Sequence, residues 1–289
     1  MCLIAWNWQP KSTMPLLLVG NRDEFYARPA RALQWWSGSQ ILAGKDLQAG
    51  GTWLGVTRTG RLAALTNYRD IGSASHPHAQ RGAAPSRGEL VTDFLSGALD
   101  SRAFLKRLAY RAVNYNPFNL LVFDGEHLLG LQSRDAQIIE MQPGMGAVSN
   151  ADFHSPWPKL VRLRDQLQTH VNHSLVNHSS LNHSSVAPGT GDDAATAALL
   201  TMLTNDAVAP DHALPHTGLP LERERALSAA FITSPGYGTR ASSVVRIGQT
   251  QASFTECSFG PHGALGSEHH RFALRAGTTL QSDDHDNPR

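Results

Sequence analysis

The sequence predicts a layered α+β domain on two observations. Apolar runs of strand length arrive in pairs joined by short Gly, Pro, Ser and Thr turns, the pattern of antiparallel hairpins. These strand blocks alternate with pairs of segments whose apolar residues recur at helical spacing. One domain is expected over residues 1–276, with a low-complexity loop inserted at 169–193 and a disordered tail at 277–289.

The first hairpin joins Cys2–Trp8 to Met14–Asn21 through Gln9-Pro10-Lys11-Ser12-Thr13. Centring that turn near Lys11 sets Cys2 opposite Gly20, with room for a slip of one or two residues, and so beside the polar corner Asn21-Arg22-Asp23-Glu24. A second hairpin joins Gly50–Val56 to Gly60–Tyr68, and the Gly/Ser/His/Pro-rich stretch Ile71–Ser86 reads as a mobile loop. Ser86-Arg87-Gly88-Glu89 resembles a capping box before a helix with Leu90, Val91, Phe94 and Leu95 on one face. Asp100 or Ser101 caps a second helix with Phe104, Leu105 and Leu108 inward. Strands return at Phe118–Phe123, His127–Gln132, Gln137–Met141 and Met145–Val148. Beyond Pro156-Trp157-Pro158 a helix presents Leu160, Val161, Leu163 and Leu167, and two more are expected at about Ala194–Leu203 and Leu221–Ala230. Phe231-Ile232, Tyr237–Ile247 and Ala252–Cys257 close the chain as strands.

Composition narrows the function classes. A net charge of +1, with 17% of residues charged, leaves no imbalance that calls for nucleic acid. No apolar stretch reaches the roughly 20 residues of a membrane span, and no basic-then-apolar leader opens the chain. Cysteine occurs only at positions 2 and 257, which fits a reducing cytoplasm better than a disulfide framework. A soluble cytoplasmic protein is expected, and its oligomeric state is unset. His173, His178 and His183 belong to an Asn-His-Ser repeat whose spacing of five suits neither a helix face nor a zinc finger, so loop expansion is preferred to a metal site.

Cys2 carries the most chemistry. A small second residue favours trimming of Met1, and trimming leaves a thiol and a free α-amine on one residue. A thiol of pKa about 8.5 beside an amine of about 7.7–8.0 is a nucleophile with its own base. The other reading of Cys2 is a small apolar residue at a terminus. Arg22 can hold the sulfur as thiolate and Asp23 can orient the amine, or the two can form a surface ion pair of little consequence. Asn67 and Asn150 end strands, where an asparagine either makes a turn or offers a neutral amide to an oxyanion. Arg240, near the start of its strand, is either exposed or an anchor for a carboxylate or thiolate.

Asn21-Arg22-Asp23-Glu24 after a Met-Cys start resembles the signature of the NRDE family, whose eukaryotic members are called Transport and Golgi organisation protein 2. Phe25-Tyr26-Ala27-Arg28-Pro29, Gly50-Gly51-Thr52-Trp53-Leu54-Gly55, Leu65-Thr66-Asn67-Tyr68-Arg69, Ser149-Asn150 with Pro156-Trp157-Pro158-Lys159, and Tyr237-Gly238-Thr239-Arg240 are similar to the same family. The resemblance implies an N-terminal-nucleophile (Ntn) hydrolase-like fold, a four-layer αββα sandwich of two antiparallel sheets between helix layers. By analogy with cysteine acylases of penicillin V and conjugated bile salts, Cys2, Arg22, Asp23, Asn67, Asn150 and Arg240 fill the catalytic slots. Those acylases separate the Arg from the Asp by a few residues, whereas Arg22 adjoins Asp23. Successive strand residues point to opposite faces, which leaves open whether both reach Cys2.

The implied activity is hydrolysis of an amide or thioester of a small apolar-acyl molecule, with no cofactor required. Trp6, Trp8, Trp35, Trp36 and Trp53 then either wall an apolar pocket or pack as core. The alternative on the same scaffold is a non-catalytic carrier of haem or an acyl-CoA-type lipid. No Cys-Pro or Cys-x-x-Cys-His haem motif is present.

Overall fold

Residue alternation builds the middle of the molecule. The computed structural model describes residues 2–69, 84–180 and 190–275. Strands β1 (Cys2–Trp8), β2 (Leu16–Phe25), β10 (Gly144–Val148), β11 (Thr233–Ser234), β12 (Tyr237–Ile247), β13 (Gln251–Gly260) and β14 (Gly263–Ala273) form one antiparallel sheet, ordered β10-β1-β2-β12-β13-β14 with β11 paired to β12. Strands β3 (Ala30–Trp35), β4 (Ile41–Asp46), β5 (Leu54–Thr57), β6 (Leu62–Asn67), β7 (Phe118–Phe123), β8 (Leu128–Gln132) and β9 (Gln137–Glu140) form the second, in chain order. In β1, Cys2, Ile4, Trp6 and Trp8 point between the sheets, where they meet Leu42, Leu54, Leu121 and Phe123. Leu3 and Ala5 point the other way, onto Leu160, Leu163 and Leu167 of α3 (Pro158–Ser180) and Leu199 and Leu203 of α4 (Thr190–Leu203). On the far side, α1 (Gly88–Ser96) and α2 (Ser101–Ala109) lay Leu90, Phe94, Leu105 and Leu108 on Ala63, Leu120, Val122 and Leu129. The result is the four-layer αββα sandwich. A short α5 (Leu221–Ala226) precedes β11.

Several local expectations are corrected. Asn21-Arg22-Asp23-Glu24 is not a turn at the end of the first hairpin: β2 continues through it, because β12 pairs with β2 from Leu16↔Ile247 to Phe25↔Tyr237 and satisfies its backbone. The hairpin register is Cys2↔Arg22 and Leu3↔Asn21, two residues beyond the pairing centred on Lys11, since the loop closes from Gln9 N–H to Pro15 O. Gly20 faces Ile4, and a Cβ there would come 2.8 Å from the Leu3 carbonyl oxygen, so the glycine admits a neighbouring strand and not a ligand. The capping box before α1 does not form: Glu89 accepts the Tyr115 hydroxyl instead, while the Asp100 cap of α2 is made to Ala103 N–H at 2.7 Å.

The repeat segment is helical as far as Ser180, because no glycine or proline interrupts the chain between Lys159 and Ala187. Residues 190–193 of the expected loop are also helical, as the start of α4, while 181–189, most of the Ile71–Ser86 stretch and the tail at 277–289 lie outside the described residues. Phe231-Ile232 is not a strand; the two-residue β11 follows it. Strands β3, β4 and β14 were not expected from the sequence.

One contact fixes β1 against β10. Trp6 pairs with Gly146, and a Cβ on Gly146 would sit 2.2 Å from Trp6 Cζ2. Gly146→Ala is therefore expected to destabilise the fold by roughly 1–3 kcal/mol, measured by urea denaturation with tryptophan fluorescence. A loss below about 0.5 kcal/mol would mean the indole steps aside freely.

Candidate active site

The end of β1 and the middle of β2 meet at the mouth of the gap between the sheets. Directly opposed residues of paired strands share a face, so the Cys2↔Arg22 pair puts guanidinium and thiol on the inter-sheet side. Both line a cleft of about 650 Å³ together with Asn67, Trp53, Arg87 and Glu256. Cys2 is 6% exposed. Burial pushes its thiol up to about 11, against the pull of nearby positive charge that includes Arg22. At neutral pH the sulfur is a thiol and needs a base to become a nucleophile.

Arg22 is loosely tethered, with Nη2 3.8 Å from Glu24 and 3.9 Å from Asp46. Asp46 is held more firmly by Arg28 Nε at 2.7 Å and by the backbone N–H groups of Gln48 and Ala49. Asp23, the next residue, lies on the helix-facing side of β2. Its Oδ1 accepts the Thr239 hydroxyl at 2.8 Å, and burial raises its carboxyl while Lys159 of α3 opposes the shift. Arg22 and Asp23 thus flank the Cys2 backbone from opposite faces of the sheet, and Asp23 also borders the cleft. Asn21 is a staple: its Nδ2 donates to the carbonyls of Leu203 and Ala230, each at 2.8 Å, and its Oδ1 accepts from Ser242.

Asn67 ends β6 and presents its side chain to the cleft. Asn150, fully buried, donates from Nδ2 to the Asn67 carbonyl at 2.8 Å, and its own carbonyl accepts Arg69 N–H at 2.7 Å. It ties two strand ends together behind Asn67 and is not among the residues lining the cleft. Ser149 Oγ lies 3.2 Å from the Cys2 carbonyl oxygen and 3.3 Å from Asn150 Oδ1, so its single proton links Cys2 to that tie. Arg240 sits at a bulge in β12, and its Nε and Nη1 donate to the carbonyls of Phe259, Phe25, Tyr26 and Arg28. It lines the cleft but spends most of its donors shaping the β2–β3 turn, leaving Nη2 for a ligand. Of the five tryptophans that could wall a pocket, Trp53 lines the cleft; Trp6 and Trp8 are inter-sheet core, Trp35 packs on Phe272, and Trp36 bonds the Ala43 carbonyl.

The sequence model of the Transport and Golgi organisation 2 family matches residues 1–260. The chain belongs to that family. A Transport and Golgi organization protein 2 homolog of Bos taurus is 35% identical over 276 residues, covering 89% of this chain and 93% of its own. The homolog of Homo sapiens is 34% identical over 278 residues, with the same coverage of each chain. Among solved structures, the mutant C2A conjugated bile acid hydrolase from Clostridium perfringens is 10% identical, covers 96% of this chain and 98% of its own, and has a TM-score of 0.37.

In this member of the Transport and Golgi organisation 2 family, sequence reasoning assigned no role to five side chains near the cysteine. Arg87, just before α1, donates to the Pro117 carbonyl; burial lowers its pKa, and Cys2, once ionised, is the first charge that opposes the shift. Lys159, Arg69 and Glu224 are buried behind β2, Arg69 and Glu224 as an ion pair at 3.4 Å. The available signals were the motif stretches that end in Arg69 and Lys159, and the charge of Lys159 at the start of an apolar helix face. Glu256 on β13 also lines the cleft. Its Oε1 accepts Leu33 N–H at 2.9 Å, and Ser243 Oγ lies 3.5 Å from Oε2.

Burial pushes the Glu256 carboxyl from 4.5 up to about 7, while the Leu33 N–H and Arg22 pull it down. The folded pKa exceeds the unfolded one, so the native state carries an unfavourable buried charge above about pH 7. That burden fades as pH falls and is gone once both states are protonated below about 4.5. Glu256→Gln keeps an acceptor for Leu33 and is expected to add roughly 1–3 kcal/mol of stability near pH 8, but nothing near pH 4, by urea denaturation at both values. An equal gain at both would contradict the buried-charge account.

Proposed function

We propose that this protein is an N-terminal-cysteine acyl hydrolase, cleaving an amide or thioester of a small acyl molecule. The observation that carries the reading is the Cys2↔Arg22 pair lining the cleft, with Asp23 one residue further along β2, on the side from which the Cys2 nitrogen leaves the strand. Removal of Met1 sets that nitrogen free as an α-amine. The amine takes the thiol proton, and the sulfur attacks the carbonyl carbon. The oxyanion is met by the Asn67 amide, a donor of a kind whose loss typically lowers rate by about 10²–10³. The ammonium returns its proton to the leaving nitrogen or sulfur as the C–N or C–S bond breaks. Water, deprotonated by the same amine, then hydrolyses the acyl-thioester at Cys2. Arg22 supports the anionic sulfur, and Asn150 holds Asn67 in place.

The second reading, a non-catalytic carrier of haem or an acyl-CoA-type lipid, is favoured by one observation. The cleft is lined by Arg31, Lys45, Arg87 and Arg240 beside the Arg22 and Arg28 that pair with Glu24 and Asp46, and these cations can meet the anionic groups of a ligand without asking anything of the thiol.

Intact-mass measurement followed by incubation with an acyl chloromethyl ketone separates the two. The hydrolase reading expects a mature chain without Met1, a stoichiometric adduct on Cys2 in the wild type and none in Cys2→Ala. A retained Met1, or ligand binding equal in both proteins with no adduct, would establish the carrier.

A further inference from the structure

Behind β2, on the face away from the cleft, lies a group of charged side chains that the proposed chemistry does not use. Lys159 stands in the first turn of α3, 1% exposed, between the apolar contacts of Trp157 and Leu160. Its Nζ is buried and has no hydrogen-bond partner among the described residues. A buried ammonium without hydrogen bonds is unfavourable by several kcal/mol in order of magnitude. Such a group persists where its charge is needed. The charges it feels are Asp23, Arg69, Cys2 and Glu224, in that order after its own burial. Glu224 is already engaged by Arg69 at 3.4 Å and by Thr217, whose N–H and hydroxyl both donate to Oε1. That leaves Asp23 as the carboxylate that acts most on Lys159, through space and without a direct ion pair between them; with the Glu224–Arg69 ion pair, two cations and two carboxylates balance in the buried group.

We propose that Lys159 is a positioning residue for the nucleophile: by neutralising Asp23 from the helix side, it keeps the α-amine freed at Cys2 in its uncharged, proton-accepting form. This rests on the hydrolase reading above. The amine emerges beside a carboxylate whose charge is already balanced, so protonating it puts a net positive charge into a buried site. Without Lys159, Asp23 would hold the amine as an ammonium, which has no lone pair to take the thiol proton. The remaining titratable or charged groups facing this point are Arg22 and Glu24 on β2, Arg69 after β6, Arg87 before α1, Glu224 on α5 and Tyr237 on β12. Arg69 is engaged by Glu224, Arg22 acts from the cleft face, and Lys159 is the first charge that opposes the burial of Asp23, which makes it the cation on Asp23's own face that sets the balance. Burial lowers Lys159 itself to about 8, so it remains charged through the neutral range in which the amine must act.

The test is the pH dependence of Cys2 labelling by the acyl chloromethyl ketone in the mature wild type, Lys159→Met and Lys159→Arg. In Lys159→Met the acid limb should move up by about one pH unit, a roughly tenfold slower labelling near pH 6.5. Lys159→Arg, which keeps the charge, should return the limb toward the wild type. A limb unmoved in Lys159→Met, or moved equally by both variants, overturns the proposal. Reductive methylation of the wild-type α-amine across pH, read by mass spectrometry of the N-terminal peptide, gives the same answer without any variant. Half-modification should fall below the ordinary α-amine range of about 7.7–8.0, and a value within or above that range overturns the proposal. An amine of ordinary pKa on a cysteine that labels sinks this inference alone. A cysteine that never labels sinks the hydrolase reading.

Discussion

The register of β1 against β2 is the constraint on which the site depends. A strand alternates faces, so a slip of one residue would send Ile4 and Trp6 to the helix layer and expose Leu3 and Ala5 to the gap between the sheets. Trp6 also needs the bare backbone of Gly146 beneath its indole, which pins β1 from its other edge. Packing several residues away from the cysteine therefore fixes which residue of β2 it meets. β2 itself is central, paired along its length with β1 and β12, and cannot adjust alone. The Cys2↔Arg22 pairing is a consequence of the core.

The same alternation divides the Asn21-Arg22-Asp23-Glu24 motif by face. Asn21 and Asp23 face the helices: one staples β2 to the ends of α4 and the segment before β11, the other meets Thr239 and the charge of Lys159. Arg22 and Glu24 face the cleft, where their ion pairs are long and leave the guanidinium available to a ligand or a thiolate. Two structural and two site-facing residues in immediate succession explain why the motif must sit inside a paired strand. A turn would scatter these directions, whereas a strand enforces them.

Much of this was legible in the sequence where side-chain period coincides with burial. β7 and β12 have the boundaries that their apolar runs predict, and the first hairpin was legible even though its loop is wider than its turn residues suggest. β14 was not, because it is an edge strand with mostly exposed residues and shows no apolar rhythm. β3 was hidden by a register shift between Arg31 and Gln34, which breaks alternation within six residues. Histidine repeats suggested a loop on compositional grounds, yet composition without glycine or proline gives a helix no reason to stop before Ser180. At the site, Cys2, Arg22 and Asn67 could be read from strand ends, since local geometry brings them to the cleft. The role of Asn21 could not: its amide bonds carbonyls 182 and 209 positions away. Lys159 likewise acts on Asp23 only because α3 packs on β1 and β10, and Glu224 meets Arg69 from a distant part of the chain.

The two faces of β2 impose opposite electrical conditions, and the proposed chemistry needs both. On the cleft side the sulfur must lose a proton that burial holds on it up to about 11. Cations there favour the anion but offer no lone pair to remove that proton. On the helix side a neutral, buried group of balanced charges can hold an amine uncharged, but no nucleophile faces that way. A side chain belongs to one face of a sheet or the other, whereas the backbone nitrogen at a strand's first residue lies in the sheet plane. A cysteine at the head of a central hairpin is thus the arrangement in which a base conditioned on one face can serve a thiol on the other, one residue carrying both groups. The position of Cys2 in the sequence is thereby tied to the thickness of the sheet, and the free amino end is as necessary to the proposed reaction as the sulfur.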